Sequence, residues 1–169
     1  MLVDTYRTLL LGLLCLLASS LLGNGDFPFR HLTKKEGLSQ NSVIAIAQDG
    51  KGFLWYGTRD GLNRYDGRQF RVYRRQKNNP KSLTFNNIHC IYYDELVSSL
   101  WIGTTRGLCR YREETDDFVR YDAPGELGEE FIHFVFRDAA GILWTGTDKG
   151  LFRYLPEADS FVRIEGLPV

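Results

Sequence analysis

The chain has 169 residues, 43% hydrophobic and 25% charged, with 21 Lys plus Arg balanced by 21 Asp plus Glu. This is the composition of a folded globular protein and not of a disordered or fibrous one. Zero net charge with scattered basic residues argues against nucleic acid or an anionic membrane surface as partner.

The first element follows Arg7 and reads "TLLLGLLCLLASSLLGNG", Leu-rich and almost uncharged. Its apolar run, residues 9–22, is 14 long, short of the roughly 20 residues a spanning helix needs. Small residues near Ser20 and Gly25 suit cleavage, so residues 1–25 are read as a secretory signal peptide. Asp4 leaves the amino end only weakly basic, which keeps an uncleaved signal anchor open as the alternative. A buried core helix is a third reading, but nothing that follows has helical periodicity to pair with it. Cys15 has no small residue before it and is not read as a lipoprotein site. The expected location is periplasmic or exported, either free or held at the membrane by this segment.

Next comes a threefold repeat. "WYGTRDGLNRY" at 55–65 returns as "WIGTTRGLCRY" at 101–111 and "WTGTDKGLFRY" at 144–154, with spacings of 46 and 43 residues. A period in the forties is a structural unit. The first copy, residues 42–73, divides into four strand-like runs, "VIAIAQ", "FLWYGT", "LNRY" and "QFRVY", separated by "DGKG", "RDG" and "DGR". Asp-Gly separators supply the positive φ that tight antiparallel turns require. Gly61, Gly107 and Gly150 recur at one turn, and no helix follows them, so they are not phosphate-cradling glycines.

Four strands per forty-odd residues is the blade of a β-propeller; a solenoid is the competing architecture. The predicted fold is all-β, an incomplete propeller of three blades at about 42–73, 87–121 and 131–164. Phe29 to Leu32, "FRHL", matches the fourth-strand template and is read as an N-terminal closing strand, 29–32. On the innermost strands, alternation assigns Val43, Ala45 and Ala47 to one face and Ile44 and Ile46 to the other, with Ile88, Cys90, Tyr92 and Ile132, Phe134, Phe136 as equivalents. The tryptophans are read as packing between blades, with clearance at Gly57, Gly103 and Gly146. Cys90 and Cys109 fall on the first and third strands of one blade, too far apart for a disulfide, and are expected to be free, buried thiols. The final "EGLPV" resembles "EGLSQ" at 36–40, which opens the first blade. Further blades are therefore expected beyond it.

The stretch "GLSQNSVIAIAQDGKGFLWYGTRDGLNRYDGRQF" resembles the two-component regulator propeller repeat, and the likeness runs over about residues 29–169. It implies the periplasmic sensor region of a bacterial hybrid histidine kinase or related membrane sensor. In such proteins two propellers of about seven blades, an immunoglobulin-like module, one membrane helix and a cytoplasmic output domain follow the signal. The implied role is to bind an extracellular ligand, often a glycan fragment, and to relay it through a dimer. The chain departs from that pattern in having no membrane helix after the repeats and no kinase, cyclase or receiver motif.

Candidate chemistry is sparse. His89 and His133 occupy equivalent inner-strand positions, with Ile44 in the first copy, and could in principle line a channel and hold a metal; packing histidines are the commoner case. Arg64, Arg110 and Arg153 recur before a tyrosine, which suggests a structural arginine paired with a neighbouring turn. Glu113, Glu114, Asp116 and Asp117 are read as solvent-facing. Residues that break the repeat are better candidates for recognition. They lie in the blade connections "RRQKNNPKSLTFNN" at 74–87 and "DAPGELGEEF" at 122–131, and Arg74, Arg75, Asn78, Asn79 and Asn86 are the ligand-binding candidates. The expected function is a ligand-binding sensor module with no catalysis, cofactor or metal of its own. Its expected partners are an extracellular small molecule or oligosaccharide, together with the missing blades and output domain or a second copy of the chain. The alternatives are a ring completed by dimerisation, as a binding or scaffold protein, and a propeller lyase or glycosidase.

Overall fold

The computed structural model describes residues 29–122 and 127–166. The expected signal at 1–25 lies outside them, as does 123–126 in the acidic connection. The chain divides into two compact units, Met1–His31 and Leu32–Val169, and among the described residues the strands lie in the second.

The first sheet comprises β1 (Val43–Gln48), β2 (Leu54–Thr58), β3 (Gly61–Tyr65) and β4 (Phe70–Tyr73). β5 (Ile88–Asp94), β6 (Ser99–Thr104), β7 (Leu108–Arg112) and β8 (Asp117–Tyr121) form the second. The third holds β9 (Ile132–Arg137), β10 (Leu143–Thr147), β11 (Gly150–Leu155) and β12 (Ser160–Arg163). Each is an antiparallel meander in sequence order. The turn chemistry is as the residues dictate: Gly61 has φ +120, and a Cβ there would lie 2.5 Å from the Tyr73 carbonyl oxygen. Residues 29–32 carry no strand. A closing strand completes a blade that lacks one, and each of these three sheets already takes its fourth strand from its own repeat.

The sheets pack face to face through their innermost strands, β1 against β5 and β5 against β9. Two apolar clusters fill the junctions. The first holds Trp55, Leu62, Tyr73, Ile88 and Phe118, the second Trp101, Leu108, Tyr121, Ile132 and Phe161. Glycines opposite the inner strands make this approach possible: a Cβ on Gly57 would lie 2.6 Å from Ile88 Cγ2, and one on Gly103 would lie 2.7 Å from Ile132 Cγ2. The faces without a neighbouring sheet stay open. Val43, Ile44 and Ile46 are exposed on the first sheet, Phe134, Phe136 and Val162 on the third.

The inner strands do not alternate as expected. Each pairs with a register shift, between Val43 and Ala45, Ile88 and Cys90, and across His133. The extra residue of such a bulge reverses the phase of the pleat. Val43 therefore shares a face with Ile46, not with Ala45 and Ala47. In the second sheet Ile88 and Ile91 enter the first cluster, whereas Cys90 and Tyr92 enter the second. The two thiols are free, but only Cys109 is fully buried; Cys90 is partly exposed. Burial pushes their pKa values up, to about 12 for Cys90 and about 11 for Cys109.

Candidate functional site

The repeated polar residues are occupied with joining sheets. Asp116, in the β7–β8 hairpin at φ +53, accepts from the Tyr73 and Tyr111 hydroxyls at 2.6 Å each. Arg64 donates to Tyr111 at 3.0 Å and lies 3.7 Å from Asp116. The next junction repeats the staple: Asp159, at φ +44, accepts from Tyr121 at 2.5 Å and Tyr154 at 2.6 Å, and Arg110 donates to Tyr154 and Asp159 at 2.9 and 3.0 Å. Burial opposes both carboxylates, but hydroxyl donation and the arginine charges outweigh it and hold them below the ordinary value. The matching tyrosines move up, chiefly through burial, Tyr111 to about 12. The repeated arginine is thus structural, as expected. Asp116 is not solvent-facing, because Tyr73 and Arg64 of the neighbouring repeat close on it together with Tyr111 of its own; nor is Asp117, which pairs with Arg112. Arg153, on the open face, is exposed.

Many residues that differ between copies lie at the end of the sheets where the β2–β3, β6–β7 and β10–β11 turns meet the connections. Backbone bonds tie the two together, Gly61 N–H to Asn86 O at 2.8 Å, Thr105 N–H to Asn87 O at 3.0 Å and Gly107 N–H to Glu130 O at 2.7 Å. A buried leucine anchors every connection, Leu38, Leu83 and Leu127. On this frame the side chains are individual. Arg106 stacks 5.1 Å above the Phe85 ring and reaches Glu129 at 3.9 Å. Phe131 packs against His89 at 4.6 Å and His133 at 4.8 Å between ring centroids. His133 Nε2 meets Asp148 Oδ1 at 2.6 Å. The histidines are the bulge residues, which explains why they leave the sheet face and turn toward this end. Their ring centroids are 6.2 Å apart, and among the described residues no three His, Cys, Asp or Glu side chains converge as a metal site would require.

The candidates named from sequence fall mostly in the β4–β5 connection's own scaffold. Arg74 clamps Asp60 through Nε and Nη2 at 3.2 and 3.0 Å. Asn86 Oδ1 accepts from the Arg75 backbone at 2.6 Å. Asn79 accepts from Lys81 N–H at 2.9 Å and donates to Gln76 at 2.9 Å. Arg75 and Asn78 are exposed. Arg74 and Asn79 meet at a shallow hollow of about 220 Å³ that also touches Asp116 and Lys81. Phe85, Arg106 and Phe131 escaped the sequence reading. Their signal is present in it: at matched offsets the copies read Gln40, Phe85 and Glu129, then Asp60, Arg106 and Lys149, then Ser42, Asn87 and Phe131.

Residues 37–60 match the family model described as two component regulator propeller. The protein named histidine kinase P4 from Formosa agariphila is 54% identical over 61 residues, 36% of this chain and 4% of that protein. Two solved extracellular domains of hybrid two component systems from B. thetaiotaomicron are each 30% identical. One superposes with TM-score 0.71 over 80% of this chain and 20% of that one, the other with 0.55 over 66% and 16%. The chain therefore spans a fifth or less of each of these three relatives. The described residues are all-β, one stretch of them matches the two-component regulator propeller repeat, and their fold is shared with the extracellular domains of hybrid two-component systems.

Proposed function

We propose that the chain is part of an exported or periplasmic sensor module whose connection face recognises an extracellular ligand, and that its role is recognition without catalysis. The observation that carries this reading is the division of labour among the residues. Repeated Asp, Tyr and Arg groups are bonded between sheets, while aromatic, guanidinium and carboxylate groups that differ between copies converge at one end with His89 and His133, around Phe131, Arg106 and Phe85. Flat aromatic faces beside paired donors and acceptors suit a sugar ring, so an oligosaccharide fragment is the proposed ligand class. Arg75 and Asn78 are proposed as outer contacts, with Arg74, Asn79 and Asn86 shaping the loop beneath them.

An array of plant and microbial oligosaccharides probed with the chain tests this. Signal on a defined glycan class, lost in Phe131→Ala and Arg106→Ala, is the expected result; no signal on any glycan overturns the ligand class. A second reading, two copies completing one ring, rests on the apolar open faces at Val43, Ile46, Phe134 and Phe136. Light scattering after size exclusion separates the two, because a stable dimer is required only by the second.

A further inference from the structure

A cleft of about 400 Å³ opens at the other end of the first junction, between the β1–β2 turn and the β5–β6 and β7–β8 hairpins. That volume lies in the range of small-molecule sites. Tyr93, buried Leu100 and the half-exposed Val97 supply its apolar lining. Gly50 lets the β1–β2 turn close on Tyr93: a Cβ there would lie 2.5 Å from the Tyr93 hydroxyl oxygen. The rim carries both signs of charge. Lys51 from the first sheet meets Glu113 of the second at 2.6 Å, with side chains 63% and 50% exposed. Arg112 and Glu114 stand beside them, and Arg112 is held in place by Asp117 at 2.7 and 2.9 Å.

The place matching Tyr93 is filled differently at the second junction. There Arg137 replaces the tyrosine and bonds Asp94 through Nε at 2.9 and 3.0 Å. The hairpin at the cleft also breaks the repeat: "DELVSSL" stands where the other copies have "DGKGFL" and "DAAGIL". The insertion puts Val97 into the wall, and Ser98 takes φ +47 to make the turn.

We propose that this cleft binds a small zwitterion with an apolar side chain, the size of a free α-amino acid or a dipeptide. The ligand's ammonium meets Glu113 and Glu114, its carboxylate meets Lys51 and Arg112, and its side chain lies on Tyr93, Val97 and Leu100. Entry exchanges one solvent-exposed ion pair, which is worth little, for two pairs to the ligand with the charge balance preserved. A ligand of a single sign would leave half of the rim unmatched, and an uncharged one would leave both halves so.

Isothermal titration of the full chain with L-leucine, L-leucyl-L-leucine, N-acetyl-L-leucinamide and maltose tests this. Expected is binding of the zwitterions, about tenfold or more tighter than of the uncharged amide, and a loss of about tenfold or more in Lys51→Glu. Glu114→Gln, on an exposed hairpin, should weaken binding in the same direction with an unchanged melting curve, so a folding defect in one variant leaves the test intact. No heat from either zwitterion up to about 10 mM, equal affinity for the amide, preference for maltose, or full affinity in both variants overturns the proposal. Heat from maltose that is lost in Phe131→Ala belongs to the connection face and counts for the oligosaccharide reading; the other outcomes do not bear on that reading, because it rests on residues at the opposite end of the sheets.

Discussion

At the first junction Asp49 accepts the Trp55 indole N–H at 2.7 Å and also caps its own turn. The third sheet does the same, Asp138 serving Trp144 at 2.7 Å. At the second junction the equivalent Asp94 sits inside a strand, 1% exposed, and turns to Arg137 of the next sheet; Trp101 Nε1 is buried and has no partner. One repeat thus supports two kinds of seam. The first is closed by apolar packing and the staple and leaves a cleft; the second adds a buried ion pair that fills the same space and strands an indole donor. Local substitution at Tyr93 or Arg137 decides between an open and a filled seam without touching the fold.

The largest expected effect is at that ion pair. Asp94→Ala leaves the Arg137 charge, 13% exposed, without its partner, and urea unfolding should show a loss of about 3–5 kcal/mol. Replacing both residues by apolar ones should recover most of it, which distinguishes an orphaned charge from lost packing. The staples come next. Asp116→Asn keeps a side chain that tolerates positive φ and removes only the charge, so a loss of about 1.5–3 kcal/mol is expected. Asp159→Asn should cost less, because its side chain is 47% exposed against 24% for Asp116.

Acid should act on both seams through the same groups. The folded pKa values of Asp116 and Asp159 lie below the unfolded value of 3.8, so their contribution is present above that pH and is lost as pH falls through the lowered folded values. Melting temperature should therefore drop steeply below about pH 4, and less in the Asp116→Asn, Asp159→Asn double variant. The smallest effect is expected at the cleft rim, where Lys51→Met should change stability by less than about 1 kcal/mol while reducing zwitterion binding.

The fold was legible because it is written three times. Trp55, Gly57 and Gly61 recur with their neighbours, and their packing and turn roles follow from chemistry that each copy states again. The bulge was not legible, since Ile44 stands where the other copies have His89 and His133, and a register shift leaves no mark in composition. That one hidden residue put Val43 on the wrong face. Asp116 and Arg137 were hidden for another reason: each has a partner 43 residues away, Tyr73 for Asp116 and Asp94 for Arg137, outside its own repeat. The connection face was half legible. Asking which segments differ pointed to the loop at 74–87, but most of its polar residues build the loop itself. Comparing copies position by position leads instead to Phe85, Arg106 and Phe131.

The central claim is that the repeated Asp, Tyr and Arg groups join the sheets and that the groups gathered at the connection end recognise the ligand. The oligosaccharide-array signal of Asp116→Asn and Phe131→Ala, read side by side at a temperature where both are folded, tests it most directly. The account predicts that Asp116→Asn keeps the signal and Phe131→Ala loses it; full signal in Phe131→Ala, with loss in Asp116→Asn, would contradict it.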